Sequence, residues 1–296
     1  MSDQDLAQSG NNMAKQVQLV ASYWTLAGGA EPHTDHEYSK FSFQDRVTAA
    51  AQAGFNGFGI WHADLEHTLK TQSLRDMRRT LDHNGMTHIE LEFLTDWWFR
   101  DGERRAGCEQ RKRLLLDAAS ALDAHHIKVG DFLNTPCPMP QLIEAFAALC
   151  AEAAGHGTDV LFELMPFANV NTLAAALELV QGAGASNGGL IIDLWHMVKM
   201  GIAYDEVARI PARFLGGIEI NDGTFQAPWD LVTDTVNHRR LCGDGEFDVR
   251  GFVATMLAAG YRGPWGIEVL NAEMRKWPLA HMAERAAITT RAQFAR

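Results

Sequence analysis

The sequence predicts an α/β protein that folds as a single (β/α)8 barrel, and three observations support this prediction. Eight short apolar segments recur at intervals of roughly 30 residues, and helix-patterned segments alternate with them. A chain of 296 residues is long enough for one such barrel, which needs about 250 residues. No GxGxxG loop follows the first apolar segment, so the open doubly wound sheet is the weaker alternative.

The predicted strands are mostly continuous apolar runs, which are typical of parallel strands buried on both faces. They cover 18–25, 55–62, 87–94, 126–133, 159–165, 190–194, 215–221 and 265–270. The predicted helices cover 44–54, 65–84, 107–124, 140–154, 171–182, 203–209, 249–259 and 272–295. Residues 17–296 are assigned to the barrel, and the polar residues 1–16 are predicted to form a disordered tail.

One connection is much longer than the others. About 24 residues, from 223 to 246, separate the seventh strand from its helix, where two to six residues are usual. This segment contains Trp229, His238, Arg239 and the turn at 243–245. Because aromatic and basic residues accompany a tight turn, we predict an ordered lid rather than a disordered loop.

Composition excludes several classes of protein. The net charge of −11 and the absence of a Lys/Arg block argue against a nucleic-acid partner. No apolar run of 18 residues exists, so no membrane span is predicted, and no secretory signal is recognised at the start. The four scattered cysteines contain no CxxC pair, which favours reduced thiols. These features predict a soluble, cytoplasmic protein.

Four predicted strands in the second half of the sequence carry an acid at or near the carboxyl end. These acids are Glu163, Asp193, Glu219 and Glu268. Each alternates with apolar neighbours, so each should point into the barrel at its carboxyl-terminal mouth. Because consecutive strands form one arc, four anions would meet there and repel unless a cation bridges them. All-oxygen ligands favour one hard divalent ion, Mg²⁺ or Mn²⁺.

The sequences around these acids carry a family resemblance. The segments FELMP, IIDLWH and GGIEIND, together with HRRLCGDGEFD and GYRGPWGIEVL, resemble the xylose-isomerase-like TIM barrel superfamily of sugar isomerases and epimerases. The resemblance implies that the four acids bind one divalent metal and that His196 contacts the substrate. It implies the same for Arg239, or for Arg240 if the register slips by one. Glu219 departs from the family pattern, in which His or Gln is more common.

Such a site suits proton transfer next to a carbonyl. A metal on adjacent oxygens of a hydroxy-ketone polarises the carbonyl and acidifies the neighbouring C–H. Glu163 and Glu268 would then act as the acid–base pair through an enediolate. We therefore predict a metal-dependent isomerase or epimerase of a small sugar or keto-polyol. A dehydratase of a keto-polyol or a dehydroshikimate-like acid is the close alternative.

Three further residues are predicted to contact the substrate. His62 follows the second strand, and Glu92 lies on the third strand, on the same face as Glu90. Trp97 follows that strand and could form an apolar wall against a sugar ring. The alternative for Trp97 is helix packing or a contact in a homo-oligomer.

Other functions are weaker alternatives. Lys128 in the fourth strand could form an imine in a Schiff-base aldolase if it were desolvated. A phosphodiesterase or AP endonuclease would need a histidine-rich metal cluster and a basic face, and this chain is acidic. A sugar-binding protein without catalytic activity also remains open.

Overall fold

Eight parallel strands form a closed barrel in the computed structural model, which describes residues 17–295. The strands run in chain order, and β8 pairs with β1 to close the barrel. They are β1 Leu19–Ala21, β2 Gly57–Trp61, β3 His88–Leu94, β4 His126–Val129, β5 Asp159–Glu163, β6 Gly188–Asp193, β7 Leu215–Ile220 and β8 Trp265–Ile267. The predicted single-domain (β/α)8 barrel is confirmed. The tail predicted over residues 1–16 lies outside the described residues.

Eleven α-helices occur in the described part of the chain. They are α1 Phe43–Ala53, α2 His62–Thr68, α3 Leu74–His83, α4 Gly102–Leu122, α5 Met139–Ala154, α6 Leu173–Ala183, α7 Leu194–Lys199, α8 Tyr204–Ala208, α9 Leu231–Asn237, α10 Val249–Ala258 and α11 Leu279–Arg291. None of them is long and apolar enough to cross a membrane. All four cysteines are free thiols, as predicted.

Two predicted helices have wrong boundaries and one helix was missed, each for a local reason. The helix predicted over 65–84 is two helices, because Ser73 starts α3 with a capping box in which Ser73 and Asp76 satisfy each other's backbone N–H groups. The helix predicted over 272–295 begins only after Pro278, which cannot continue a helix from before. Helix α7 was not predicted; the Asp193 carboxylate accepts a hydrogen bond from His196 N at 3.1 Å and caps it.

The long connection at 223–246 is ordered, as predicted, and Asp222 holds it. The Asp222 carboxylate accepts hydrogen bonds from Gly223 N at 2.8 Å, Gly243 N at 2.9 Å and Phe247 N at 3.0 Å. Helix α9 lies within this segment, and its first turn is capped by Asp230. One buried carboxylate therefore brings both ends of the segment together.

The inside of the barrel is polar along β3 and β4. Residues of β3 and β4 that face the helices, such as Leu91 and Ile127, belong to the apolar core. Burial of such a side chain contributes about 1.5–3 kcal/mol. The alternate residues face inward and are ionisable: Lys128 on β4 reaches Glu219 on β7, across the barrel. The helix-facing layer thus supplies stability, whereas the interior is left for chemistry.

Candidate active site

The four strand-end acids converge at the carboxyl-terminal mouth. Glu163, Asp193, Glu219 and Glu268 are all buried, and one carboxylate oxygen from each lies within 4.8 Å of the others. Strand register explains part of this geometry, because Asp193 pairs with Glu219, and Glu219 pairs with Gly266. A Cβ on Gly266 would lie 2.7 Å from Glu219 Cγ, so only glycine leaves room for this side chain.

Two buried cations lie among the acids. Lys128 Nζ is 2.5 Å from Glu219 Oε1, 3.5 Å from Glu92 Oε2 and 3.6 Å from Glu268 Oε1. Arg239 Nη1 is 2.8 Å from Asp193 Oδ2 and 3.0 Å from Glu268 Oε2. Arg240 instead donates to the backbone of Asp244, so Arg239 is the arginine in the site. These two positive charges balance only half of the charge of the four acids.

The remaining polar atoms fit a hard divalent cation. Glu219 Oε1 accepts from Ser22 Oγ at 2.5 Å and from Lys128, but no donor within the described residues reaches the buried Glu219 Oε2. One carboxylate oxygen each of Glu163, Asp193 and Glu268 lies within 4.8 Å of a Glu219 oxygen. Burial, and after it the neighbouring carboxylates, raise the pKa of Glu219 and of Glu268, because this buried site disfavours several ionised acids at once. A divalent ion would supply the missing charge and use these oxygens.

Lys128 is a structural counter-charge in this geometry. Burial alone would lower its pKa, but Glu219, Glu92 and Glu268 hold the pKa well above its ordinary value. A protonated amine cannot attack a carbonyl. Lys128 is also fully buried and does not line the pocket above the acids, so the geometry does not favour the Schiff-base alternative.

A cavity of about 430 Å³ opens above the acids. Six of the residues singled out from the sequence line it: His62, Glu92, Glu163, His196, Arg239 and Glu268. Trp97 does not. Its ring is buried against Phe146 and Phe162 in the layer between barrel and helices, so its predicted contact with substrate is wrong. The residue follows the strand, but its side chain turns toward α5.

Histidines flank the acids within the cavity. His196 Nε2 lies 3.3 Å from Glu163 Oε1 and 3.3 Å from Arg239 Nη2. His62 Nδ1 accepts a hydrogen bond from Phe93 N at 3.4 Å. Burial lowers the pKa of His62 to about 3, so this imidazole is neutral near pH 7. Both rings are placed to hydrogen-bond a small polar ligand.

Arg111 is a cavity residue that the sequence did not reveal. It lies on α4, and its Nη1 donates to Thr95 Oγ1 at 3.0 Å. Among residues 17–295, no carboxylate lies within ion-pair distance of its guanidinium. In the sequence Arg111 is one of several charges on a helix, so no pattern distinguished it. An unpaired guanidinium facing a cavity is suited to bind an anionic group.

The fold and the site together define a barrel enzyme class in which acids at the mouth are arranged to hold a divalent metal beside a small-molecule cavity. Residues 47–292 match the model of the xylose isomerase-like TIM barrel family. The chain therefore belongs to that family, as the resemblance predicted.

Relatives within the family catalyse different reactions. The 3-dehydroshikimate dehydratase of Pseudomonas aeruginosa is 30% identical over 240 residues, which cover 79% of this chain and 37% of that protein. The inosose isomerase of Halalkalibacterium halodurans is 21% identical over 76% of this chain and 82% of that protein. The chain thus spans little more than a third of the length of the dehydratases it matches.

Solved structures agree on the fold. The structure of the IOLI protein, which holds a zinc atom, superposes with a TM-score of 0.79 over 94% of this chain and 98% of that chain. Its sequence identity is 18%, so this likeness concerns the fold alone.

Proposed function

We propose that this protein is a metal-dependent dehydratase of a small cyclic hydroxy-keto acid, in the manner of its dehydroshikimate-dehydrating relatives. The observation that carries the proposal is Arg111, an unpaired guanidinium in the wall of a cavity whose floor is the four-acid site. A neutral sugar has no anionic group that could pair with the guanidinium, whereas a keto acid has a carboxylate. The relative of 30% identity acts on such an acid.

Residues of the chain can carry each step. Glu163, Asp193, Glu219 and Glu268 would hold the metal, which when bound polarises the substrate carbonyl. Glu163 is the better base, because among residues 17–295 its carboxylate pairs with His196 alone, whereas Arg239 and Lys128 both hold Glu268. Glu163 would take the proton from the carbon beside the carbonyl. A C=C bond forms as the β C–O bond breaks, and the leaving hydroxide takes a proton from Glu268 and departs as water.

Other residues would orient the substrate. Arg239 and His196 stabilise negative charge that develops on the carbonyl oxygen. Arg111 binds the carboxylate, and neutral His62, whose Nδ1 already accepts from Phe93 N, donates a hydrogen bond from Nε2 to a ring hydroxyl. The indole rings of Trp24 and Trp61, with centroids 4.9 Å apart, offer an apolar wall for the ring.

The direct test uses protein stripped with a chelator and reloaded with Mg²⁺ or Mn²⁺, the ions that an all-oxygen site prefers. Loss of water from 3-dehydroshikimate is followed by the ultraviolet absorbance of the conjugated product. We expect turnover with either ion and none after chelation. Absence of turnover with every divalent ion tested would reject the dehydratase.

An isomerase or epimerase of a keto-polyol is the second candidate. It is favoured by the inosose isomerases, which this chain matches over most of their length. The same Glu163 and Glu268 would exchange a proton without loss of hydroxide. Incorporation of deuterium from solvent into inosose, without loss of water from the molecule, would favour this candidate.

A further inference from the structure

A second group of ionisable side chains lies inside the barrel, at the end opposite the mouth. His88 is the first residue of β3 and His126 is the first residue of β4. Glu90 lies between them, since it is paired in register with His126. All three share the inward faces of their strands with Glu92 and Lys128. We call these three residues the base cluster.

The geometry of the base cluster is close to that of a metal site. One ligand atom from each residue lies within 4.8 Å of the others. His88 Nε2 is 3.3 Å and His126 Nε2 is 3.8 Å from Glu90 Oε1. A tetrahedral ion with bonds of about 2.0–2.1 Å holds its ligands roughly 3.3–3.4 Å apart. Both histidine–glutamate distances lie within a few tenths of an ångström of that spacing.

Hydrogen bonding within the protein leaves this cluster incomplete. Glu90 Oε2 and His126 Nε2 are buried, and neither has a hydrogen-bond partner among residues 17–295. Buried polar groups without a hydrogen-bond partner destabilise a fold, so an additional ligand at this place would be stabilising. An ion pair with His126 does not solve the problem, because 3.8 Å is too long for a hydrogen bond. Burial also lowers the pKa of His126 to about 3, which keeps the imidazole neutral and able to ligate.

We propose that His88, Glu90 and His126 bind a second metal ion, a borderline transition metal such as Zn²⁺, at the amino-terminal end of the barrel. Two imidazoles and one carboxylate suit that class of ion better than the all-oxygen mouth does. The His88 side chain is 14% exposed and gives the ion a path from solvent. Lys128 separates the two sites, because it lies two residues beyond His126 toward the mouth. The ion would link β3 to β4 and would therefore stabilise the fold.

The test titrates the full-length, metal-free protein with Co²⁺, used as a spectroscopic stand-in for Zn²⁺, in excess Mg²⁺ that occupies the mouth. Four-coordinate Co²⁺ with imidazole ligands gives strong visible absorption, which six-coordinate Co²⁺ at an oxygen site does not. We expect one equivalent to produce this absorption in the wild-type protein. His88→Gln should weaken binding by more than the roughly 10–100-fold that loss of an outer-shell partner costs.

His125 provides the matched control. It is exposed and its ring centroid lies 4.1 Å from that of His88, but it is not among the ligand atoms. His125→Gln should keep the absorption, and one equivalent of Zn²⁺, added in the same excess of Mg²⁺, should raise the Tm of this variant and of the wild type but not of His88→Gln. His88 is only partly buried, so its variant is expected to fold even where His126→Gln does not. No absorption in the wild type, or equal binding or equal loss in both variants, would overturn the proposal.

Discussion

The two ends of the barrel interior bury ionisable groups in different ways. At the mouth, Lys128 and Arg239 neutralise part of an excess of acids and leave charge for a cation. At the base, Glu90 meets two histidines, and burial keeps at least His126 neutral. The mouth is therefore a site of carboxylate oxygens with an excess of negative charge, whereas the base offers both imidazole nitrogens and a carboxylate oxygen. One strand pair, β3 and β4, contributes to both, since Glu92 and Lys128 continue the same inward faces.

The largest expected effect comes from a substitution at the mouth, which leaves the base cluster unchanged. Asp193→Asn should abolish metal binding at the mouth and lower turnover by at least about 10³-fold, because one ligand charge is lost. The asparagine side-chain oxygen can still accept from His196 N, so α7 keeps its cap. Turnover and Mg²⁺ or Mn²⁺ content are measured together. Turnover at the wild-type rate in this variant would refute the mouth as the catalytic site.

The second prediction concerns the counter-charge of the mouth. Lys128→Met should lower the free energy of unfolding of the metal-free protein by about 3–5 kcal/mol, because Glu219 and Glu92 lose their buried partner. Denaturant titration measures it, and a divalent ion should recover part of the loss. The control is Lys276→Met, whose pair with Glu273 is exposed and should matter by less than about 0.5 kcal/mol. Equal stability changes in the two variants would contradict the role of Lys128.

A smaller effect tests the substrate class. Arg111→Gln should raise KM for a keto acid by about 10–100-fold, which corresponds to one charged hydrogen bond. It should leave the kinetics of a neutral keto-polyol unchanged, because the metal-binding acids are untouched. Steady-state kinetics with both substrates provide the comparison. If KM for both substrates rises equally, Arg111 shapes the cavity and does not select a carboxylate.

The smallest effect concerns a wall residue of the cavity. Burial lowers the pKa of His62 from 6.5 to about 3. Between pH 3 and pH 6.5, His62 is therefore protonated in the unfolded chain and neutral in the folded chain. The stabilising contribution is complete above pH 6.5 and is lost as the pH falls toward 3. Between pH 7 and pH 5, the wild type should lose about 2 kcal/mol more than His62→Gln. Parallel pH dependences of unfolding would show that His62 titrates normally.

The sequence predicted the mouth better than any other part because strand periodicity fixes which way a side chain points. Glu163, Asp193, Glu219 and Glu268 alternate with apolar neighbours, and consecutive parallel strands bring such acids together. The family resemblance added His196 and Arg239. Isomerase or epimerase remains an open prediction beside the dehydratase. The identity of the metal, the homo-oligomer, the cytoplasmic location and the absence of a nucleic-acid partner also remain predictions.

Other features depended on contacts that the sequence does not encode locally. Trp97 follows a strand, and only the path of the chain after β3 decides that it packs outward against Phe146. Arg111 enters the cavity from a long helix that carries several other charged residues, most of them at least partly exposed. His88 and His126 begin their strands, whereas barrel chemistry is expected at the ends, so the base cluster was overlooked.

The two carboxylate oxygens of Asp193 accept hydrogen bonds from different parts of the site. Oδ1 caps α7, while Oδ2 accepts from Asn221 Nδ2 and Arg239 Nη1, both at 2.8 Å. Directed evolution of a new substrate preference should therefore find almost no tolerated change at this position. Productive libraries would diversify Leu133 and Val232 instead, which are 71% and 41% exposed at the cavity rim.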